Sequence, residues 1–225
     1  MINNKILKAV IFDLDGVVTD SAKYHYLAWK SLADELGIPF DEEYNEKLKG
    51  ISRMESLELI LKNGNSETKY SAFEKEKLAD RKNEHYKELI KEIKPSDILP
   101  GIENFLSELK SHNIKTALAS VSKNANFIIK QLQAEKYFDY IADAASVPNT
   151  KPFPDIFLVC AKNLGIQPGE CIGIEDAKSG IEAIHRAGML AVGVGTLSEM
   201  AEADLILSTK ELNLNHILNK FDIKL

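Results

Sequence analysis

The chain has 225 residues, enough for one large domain or for a domain that carries a smaller insertion. At 44% hydrophobic, 28% charged and a net charge of −6 it can bury a sizeable core, and it is a poor match for a general nucleic-acid binder. No apolar run nears the ~20 residues that span a bilayer, and the basic-then-apolar start MINNKILKAVIFD is cut short by Asp13 with no small-residue cleavage site after it, unlike a signal peptide.

The first expected element is a strand over Lys8–Phe12, which runs into FDLDGVVTD, Phe12 to Asp20. Residues i and i+2 of a strand share a side, so Asp13 and Asp15 set two carboxylates together. A pair that close calls for a cation beside it. Residues 20–95 then turn helical, with abundant Lys and Glu and no convincing strand. Ala22, Tyr26, Trp29 and Ala33 form one stripe, broadened by Leu32 and Leu36, and Gly37-Ile38-Pro39 ends the first helix. Gly50-Ile51-Ser52-Arg53 reads as a turn-like break, and Glu67 to Ile93 as one helix or a pair.

Beyond residue 95 helices and strands alternate. Helices are expected over Ile102–His112, Asn124–Ala134, Pro154–Leu164 and Ala177–Ala187, with a short one near Ser198–Ala201. Strands are expected over Lys115–Ala119, Tyr140–Ala142, Cys171–Ile174, Leu190–Val194 and Leu205–Leu207, and Gly101, Gly165 and Gly188 punctuate helix ends. This alternation is that of an α/β, Rossmann-like parallel-sheet core covered on both faces. The expected domains are a core of 1–19 and 94–225 and an inserted small helical domain of 20–93. Crossings near Val17–Ser21 and Glu92–Ile98 would join them as a hinge. Cys160 and Cys171 are too few for a disulfide framework or a zinc set and read as small buried residues in a reducing compartment, so a cytoplasmic protein is expected.

In an open parallel sheet, ligands bind beyond the carboxyl ends of the strands. Four strand ends carry chemistry here: Asp13 and Asp15; Ser120-Val121-Ser122-Lys123-Asn124; Lys151 in KPFP; and Glu175-Asp176. An aspartate such as Asp13 can attack phosphorus, and Asp15 can take and give a proton. Glu175 and Asp176 with Asp13 offer hard oxygen ligands suited to Mg²⁺. Ser120 with backbone N–H groups at a helix N-terminus makes a phosphate seat, and Lys151 adds a positive charge. Singly, each has a plain structural explanation: an Asp-Gly turn, a helix N-cap, a solvated loop, first-turn acids favoured by a helix dipole. Their convergence on four strand ends points to a site.

DLDGVVTD, ALASVSKN, SVPNTKPFPD and IGIEDAKSGIEA resemble, in order and spacing, the four motifs of the haloacid dehalogenase-like (HAD-like) phosphotransferases. With YHYLAWKSLADELGI, NEKLKGISRMESL and ADRKNEHY the chain is similar, over nearly its whole length, to the β-phosphoglucomutase family within them. That resemblance implies a HAD-like core with a helical cap, Asp13 as nucleophile and Asp15 as general acid/base. It implies Mg²⁺ held by the Asp13 side chain, the Asp15 carbonyl and Asp176, with Glu175 adjacent. It places Ser120, Val121, Asn124 and Lys151 at the transferring phosphate, and in the cap Arg53, with Ser52 and Gly50 nearby, at the other phosphate. His25, Lys82 and Trp29 would face the sugar. The implied activity interconverts β-D-glucose 1-phosphate and glucose 6-phosphate through β-glucose 1,6-bisphosphate and an aspartyl phosphate, in a monomer with no nucleic-acid or membrane partner. A sugar-phosphate phosphatase on the same fold and a non-catalytic phosphate-binding module are the rival readings. Ser21 where Thr is expected, and Phe153 at a position often small, are the departures.

Overall fold

A computed structural model describes residues 6–48 and 51–225. In chain order the elements are β1 (Ala9–Phe12), α1 (Ala22–Glu35), α2 (Glu42–Asn45), α3 (Arg53–Asn63), α4 (Ala72–Leu89), α5 (Ile102–Ser111), β2 (Lys115–Leu118), α6 (Ala125–Gln131), β3 (Tyr140–Ile141), α7 (Asp155–Leu164), β4 (Cys171–Glu175), α8 (Lys178–Arg186), β5 (Leu190–Val194), β6 (Leu205–Leu207) and α9 (Leu214–Phe221). They fall into two compact units. One joins the segment ending at Asp20 to Lys94–Leu225; the other is Ser21–Ile93.

In the first unit six strands among the described residues form one sheet, ordered β3-β2-β1-β4-β5-β6, with every neighbour parallel. Such strands are covered on both faces and read as short apolar runs, and all four β1 residues, AVIF, are fully buried. Alternation sends Ala9 and Ile11 to one face, where they join a core with Ile156, Phe157 and Cys160 of α7 and Ile181 and Ile184 of α8. Phe12 faces the other side, edge-on to Phe105 of α5 at 6.0 Å and to Phe138 at 6.1 Å between ring centroids. Phe12 and Phe105, both fully buried, each stabilise the fold by about 1.5–3 kcal/mol.

Because every strand runs the same way, all carboxyl ends share one rim. Phe12 lies opposite Leu118 on one side and Ile174 on the other, so Asp13, Ala119 and Glu175 come level. The change of winding direction between β1 and β4 makes this rim the natural crevice for a ligand.

Some elements depart from expectation. Near Ser198–Ala201 there is only a turn: Glu199 accepts from the Thr196 amide at 3.0 Å and its hydroxyl at 2.6 Å, and Ala203 N–H then closes back to the Met200 carbonyl at 2.8 Å, a three-residue spacing that does not propagate a helix. Gly101 opens α5 rather than ending a helix, with φ +95°, and a Cβ there would lie 2.3 Å from the Thr209 carbonyl oxygen. α9 has no counterpart among the expected elements; Asn213 caps it, accepting from His216 N–H at 3.1 Å, and Leu214 and Ile217 are buried beneath it.

The second unit is helical. Trp29, Leu32 and Ala33 of α1, Leu57, Ile60 and Leu61 of α3, and Leu78 and Ala79 of α4 close one core with Ile38 and Phe40. Two S-x-x-E capping boxes set the helix starts: Ser52 with Glu55 for α3 and Ser71 with Glu74 for α4. The lysine-rich stretch is thus one long helix, followed by a 3-10 turn over Ile90–Glu92. No helix among the described residues is long and apolar enough to cross a membrane.

Asp139, leading into β3, ties the sheet's short edge. Its carboxylate accepts from Thr116 N–H at 2.9 Å and from Lys115 Nζ at 2.7 Å. Burial pushes its pKa up, but the Lys115 and Thr116 hydrogen bonds and the Lys115 and Lys110 charges outweigh that and hold it below the usual aspartate value. Asp139→Ala is expected to cost about 1 kcal/mol at neutral pH, mostly the Thr116 bond, since the exposed lysine pair contributes little. A carboxyl whose folded pKa is depressed stabilises above its unfolded pKa and loses that as pH falls through the folded value. The gap between variant and parent in urea unfolding should therefore narrow as pH drops below about 4.

Candidate active site

The carboxylates of Asp13, Glu175 and Asp176 each bring an oxygen within 4.8 Å of the others. β1 and β4 put them there, being hydrogen-bonded neighbours, with Asp13 N–H donating to the Ile174 carbonyl at 2.9 Å. Two glycines make room for the cluster. A Cβ on Gly16, at φ +76°, would fall 2.1 Å from Asp176 Oδ2, and one on Gly180 would fall 2.0 Å from Glu175 Cδ. Any side chain at either position would displace a carboxylate.

Lys151 supplies the cation. Its side chain is wholly buried, with Nζ 2.5 Å from Asp13 Oδ1 and 2.7 Å from Glu175 Oε2, over the Phe157 ring. Burial alone would pull the ammonium's pKa down, but the Asp13 and Glu175 carboxylates overcome it and hold Lys151 above the ordinary lysine value. Glu175 is pushed up, first by burial and then by the Asp13 charge, with Lys151 opposing. Its other oxygen accepts from Ala177 N–H at 3.2 Å. Glu175 therefore anchors Lys151 and the start of α8, while Asp13 and Asp176 carry the outer oxygens of the cluster.

Ser120 lies just past β2, one residue beyond the Ala119 that is level with Asp13, and is buried. α6 begins at Ala125, one residue past the Asn124 start expected from the sequence, and the loop Ser120–Asn124 leads into it. That loop is shaped by its own hydroxyls, Ser120 Oγ accepting from Ser122 N–H at 3.1 Å and Ser122 Oγ from Asn124 N–H at 3.3 Å. Val121 is half-buried against the core, and Asn124 is the N-cap of α6. Asp15, half-buried, sits in a tight turn in which the Leu14 carbonyl accepts from Val18 N–H at 2.9 Å and Gly16 N–H donates to the Thr19 carbonyl at 2.9 Å.

In the helical unit, His25 of α1 and Lys82 of α4 meet at 2.9 Å between Nδ1 and Nζ. An ammonium has no lone pair to offer, so Nδ1 accepts and the ring proton sits on Nε2. Burial, then the Lys82 and Arg53 charges, push His25 well below its ordinary pKa, keeping it neutral. Lys82 lies 4.6 Å from the Trp29 ring and 4.8 Å from the Tyr86 ring, and Tyr86 packs on His25 at 4.0 Å between centroids. Arg53, the first residue of α3, reaches Asp80 at 3.4 Å, and Ser52 is spent on the capping box. Gly50 lies outside the described residues. Asp80 and Tyr86 lie inside the stretch ADRKNEHY but received no role from it; Tyr86 is one turn on from Lys82, at i+4.

Cys160 and Cys171 are free and buried, and burial pushes both thiols up to about 12, which keeps them protonated at neutral pH.

The chain is similar to several known proteins. The β-phosphoglucomutase of Bacillus subtilis (strain 168) is 52% identical over 209 residues, covering 92% of this chain and 92% of that one. The phosphorylated carbohydrates phosphatase of Thermotoga maritima is 31% identical over 185 residues, covering 81% and 82%. The crystal structure of a β-phosphoglucomutase from Clostridium difficile superposes with a TM-score of 0.94 at 50% identity, covering 96% of this chain and 98% of that one. The haloacid dehalogenase-like hydrolase model matches residues 7–188, the span that holds all four acidic and basic strand ends, and the chain belongs to the haloacid dehalogenase-like hydrolase family.

Proposed function

We propose that this enzyme is a Mg²⁺-dependent β-phosphoglucomutase, moving a phosphoryl group between O1 and O6 of β-glucose through a phosphorylated Asp13. The observation that carries the phosphoryl-transfer part is the buried Lys151 bridging Asp13 and Glu175 beside Asp176. A carboxylate held on one oxygen by a fixed ammonium keeps the other oxygen free for phosphorus. The 52% identity to a named β-phosphoglucomutase supports the mutase over the phosphatase reading.

In this reading, phospho-Asp13 gives its phosphoryl group to a sugar hydroxyl. The P–O bond to Asp13 breaks as the bond to the sugar oxygen forms, and the hydroxyl proton passes to Asp15. The product is β-glucose 1,6-bisphosphate, whose other phosphate then returns to Asp13 while Asp15 reprotonates the departing sugar oxygen. Added bisphosphate would serve as activator by loading Asp13. Ser120 and the loop from Val121 to Asn124 would seat the phosphoryl oxygens with Lys151. In the helical unit Arg53 would grip the phosphate that is not reacting, while neutral His25, with its Nε2 proton, and Lys82 would orient the sugar.

The acidic cluster fits a divalent cation: three hard oxygen donors within 4.8 Å, with Gly16 letting the Asp176 carboxylate approach the turn closely. Asp13, Asp176 and the Asp15 carbonyl would hold Mg²⁺, with Glu175 adjacent and engaged with Lys151. When bound, the ion supplies positive charge against the phosphoryl oxygens.

Arg53→Ala separates mutase from phosphatase. Formation of glucose 6-phosphate from β-glucose 1-phosphate is expected to fall at least ~100-fold, the scale set by one displaced binding contact, while phosphorylated Asp13 still releases free phosphate. Unchanged glucose 6-phosphate formation would remove Arg53 from the binding machinery. Lys82→Met tests the charge coupling: without the neighbouring ammonium, the His25 titration followed by NMR should move upward, with burial still holding it below its ordinary value. A downward or absent shift would show that Lys82 does not set the His25 charge.

A further inference from the structure

The tight turn after β1 contains Thr19, a residue inside the DLDGVVTD motif that has no assigned role. Thr19 grips the peptide groups on both sides of Asp15. Its amide donates to the Leu14 carbonyl at 3.1 Å, and its carbonyl accepts from Gly16 N–H at 2.9 Å. The first belongs to the peptide entering Asp15 and the second to the peptide leaving it, so the direction in which the Asp15 side chain projects follows from where Thr19 sits.

Thr19 is itself tied elsewhere. It is 1% exposed, and its hydroxyl donates to the Asp97 carbonyl at 2.7 Å. Asp97 belongs to the chain returning from the helical unit, and that return is stiffened by its own bonds: Asp97 N–H to the Lys94 carbonyl at 2.9 Å, and Lys94 N–H to Asp97 Oδ2 at 2.8 Å. Two further rungs run alongside, an antiparallel bridge between Thr19 and Ile98 and a bond from Leu99 N–H to the Val18 carbonyl at 2.9 Å. The chain leaving for the helical unit and the chain returning from it are thus joined at the residue that holds Asp15.

We propose that Thr19 is a positioning residue for Asp15: through its hydroxyl it anchors the Asp15 turn to the return crossing at Asp97 and so fixes the angle from which Asp15 exchanges its proton. The proposal rests on the reading of Asp15 as general acid/base. The backbone bonds of Thr19 would form with any side chain, and a β-branched apolar residue would fill the same buried volume. Only the hydroxyl reaches Asp97, adding a side-chain tie to the backbone rungs at Ile98 and Leu99. A proton-transferring group misplaced by a fraction of an ångström loses rate without losing substrate affinity.

The test uses the full-length protein with Mg²⁺, β-glucose 1-phosphate and a trace of bisphosphate, comparing Thr19→Val, Thr19→Ser and Asp15→Asn. Thr19→Val is expected to lower kcat about tenfold with KM within about twofold, and to shift the limb of the kcat–pH profile that reports the acid/base group. Thr19→Ser, which restores the donor, should return kcat to within about threefold and the profile with it. A bond that merely stabilised the fold would lower the unfolding midpoint and leave kcat and the pH profile of the folded enzyme alone. If Thr19→Val does not fold, Thr19→Ala loses the same donor without setting a second methyl against the Asp97 carbonyl, and carries the same expectation. Wild-type kcat and pH profile in a folded variant lacking the hydroxyl, beside an inactive Asp15→Asn, overturn the Thr19 proposal and leave the Asp15 reading standing. An active Asp15→Asn overturns the Asp15 reading instead, and with it the proposal built on it.

Discussion

The Lys151 ammonium between Asp13 and Glu175 is the contact on which the rest of the site depends. Three carboxylates drawn to within 4.8 Å of one another would repel, and burial would penalise each. A lone buried ammonium would be penalised in the same way. Together they persist because each charge lowers the cost of the others. The parallel sheet makes the meeting possible, since strands that all point one way deliver their following residues to one rim. The close fit of Gly16 and Gly180 against Asp176 and Glu175 then leaves the carboxylates little freedom to rotate away.

The sequence carried the architecture in its apolar periods. Short runs such as AVIF and CIGIE, separated by amphipathic helices, admit little besides a covered parallel sheet, and the strand-end chemistry followed from that topology. Where local pattern is weak the reading slipped. A single capped turn around Glu199 makes a helix start's first hydrogen bond, Met200 N–H to the Thr196 carbonyl at 3.0 Å, but the ladder does not continue. Gly101 reads as a stop because glycine commonly ends helices; its reason for being glycine is the Thr209 carbonyl, a tertiary neighbour that no local window contains. Asn213 and the apolar spacing of Leu214 and Ile217 did announce α9, a legible signal that the strand-and-helix count beyond β6 passed over.

The site was legible where chemistry and spacing coincide and illegible where function rests on second neighbours. Asp13, Lys151 and Asp176 are unusual at strand ends and stand out. The division of labour within the acidic cluster does not, because only coordinates show Glu175 turned toward Lys151 and Ala177 rather than standing as one more outward ligand. In the helical unit the same holds for His25. Its residue type suggests a switch near neutrality, yet burial and two neighbouring cations keep it neutral and define which nitrogen bears the proton. Thr19 is quieter still, an ordinary β-branched residue in a loop whose hydroxyl partner lies far along the chain.

The central claim is that Lys151 and the carboxylates stabilise one another rather than standing as independent buried charges. A double-mutant cycle in urea at neutral pH, with Lys151→Met, Glu175→Gln and the pair together, measures this directly. Lys151→Met is expected to cost about 3–5 kcal/mol, because it strands two buried carboxylates, and the double variant is expected to recover more than about 1 kcal/mol over the sum of the singles. Single losses that simply add, with no coupling beyond about 0.5 kcal/mol, would contradict the account.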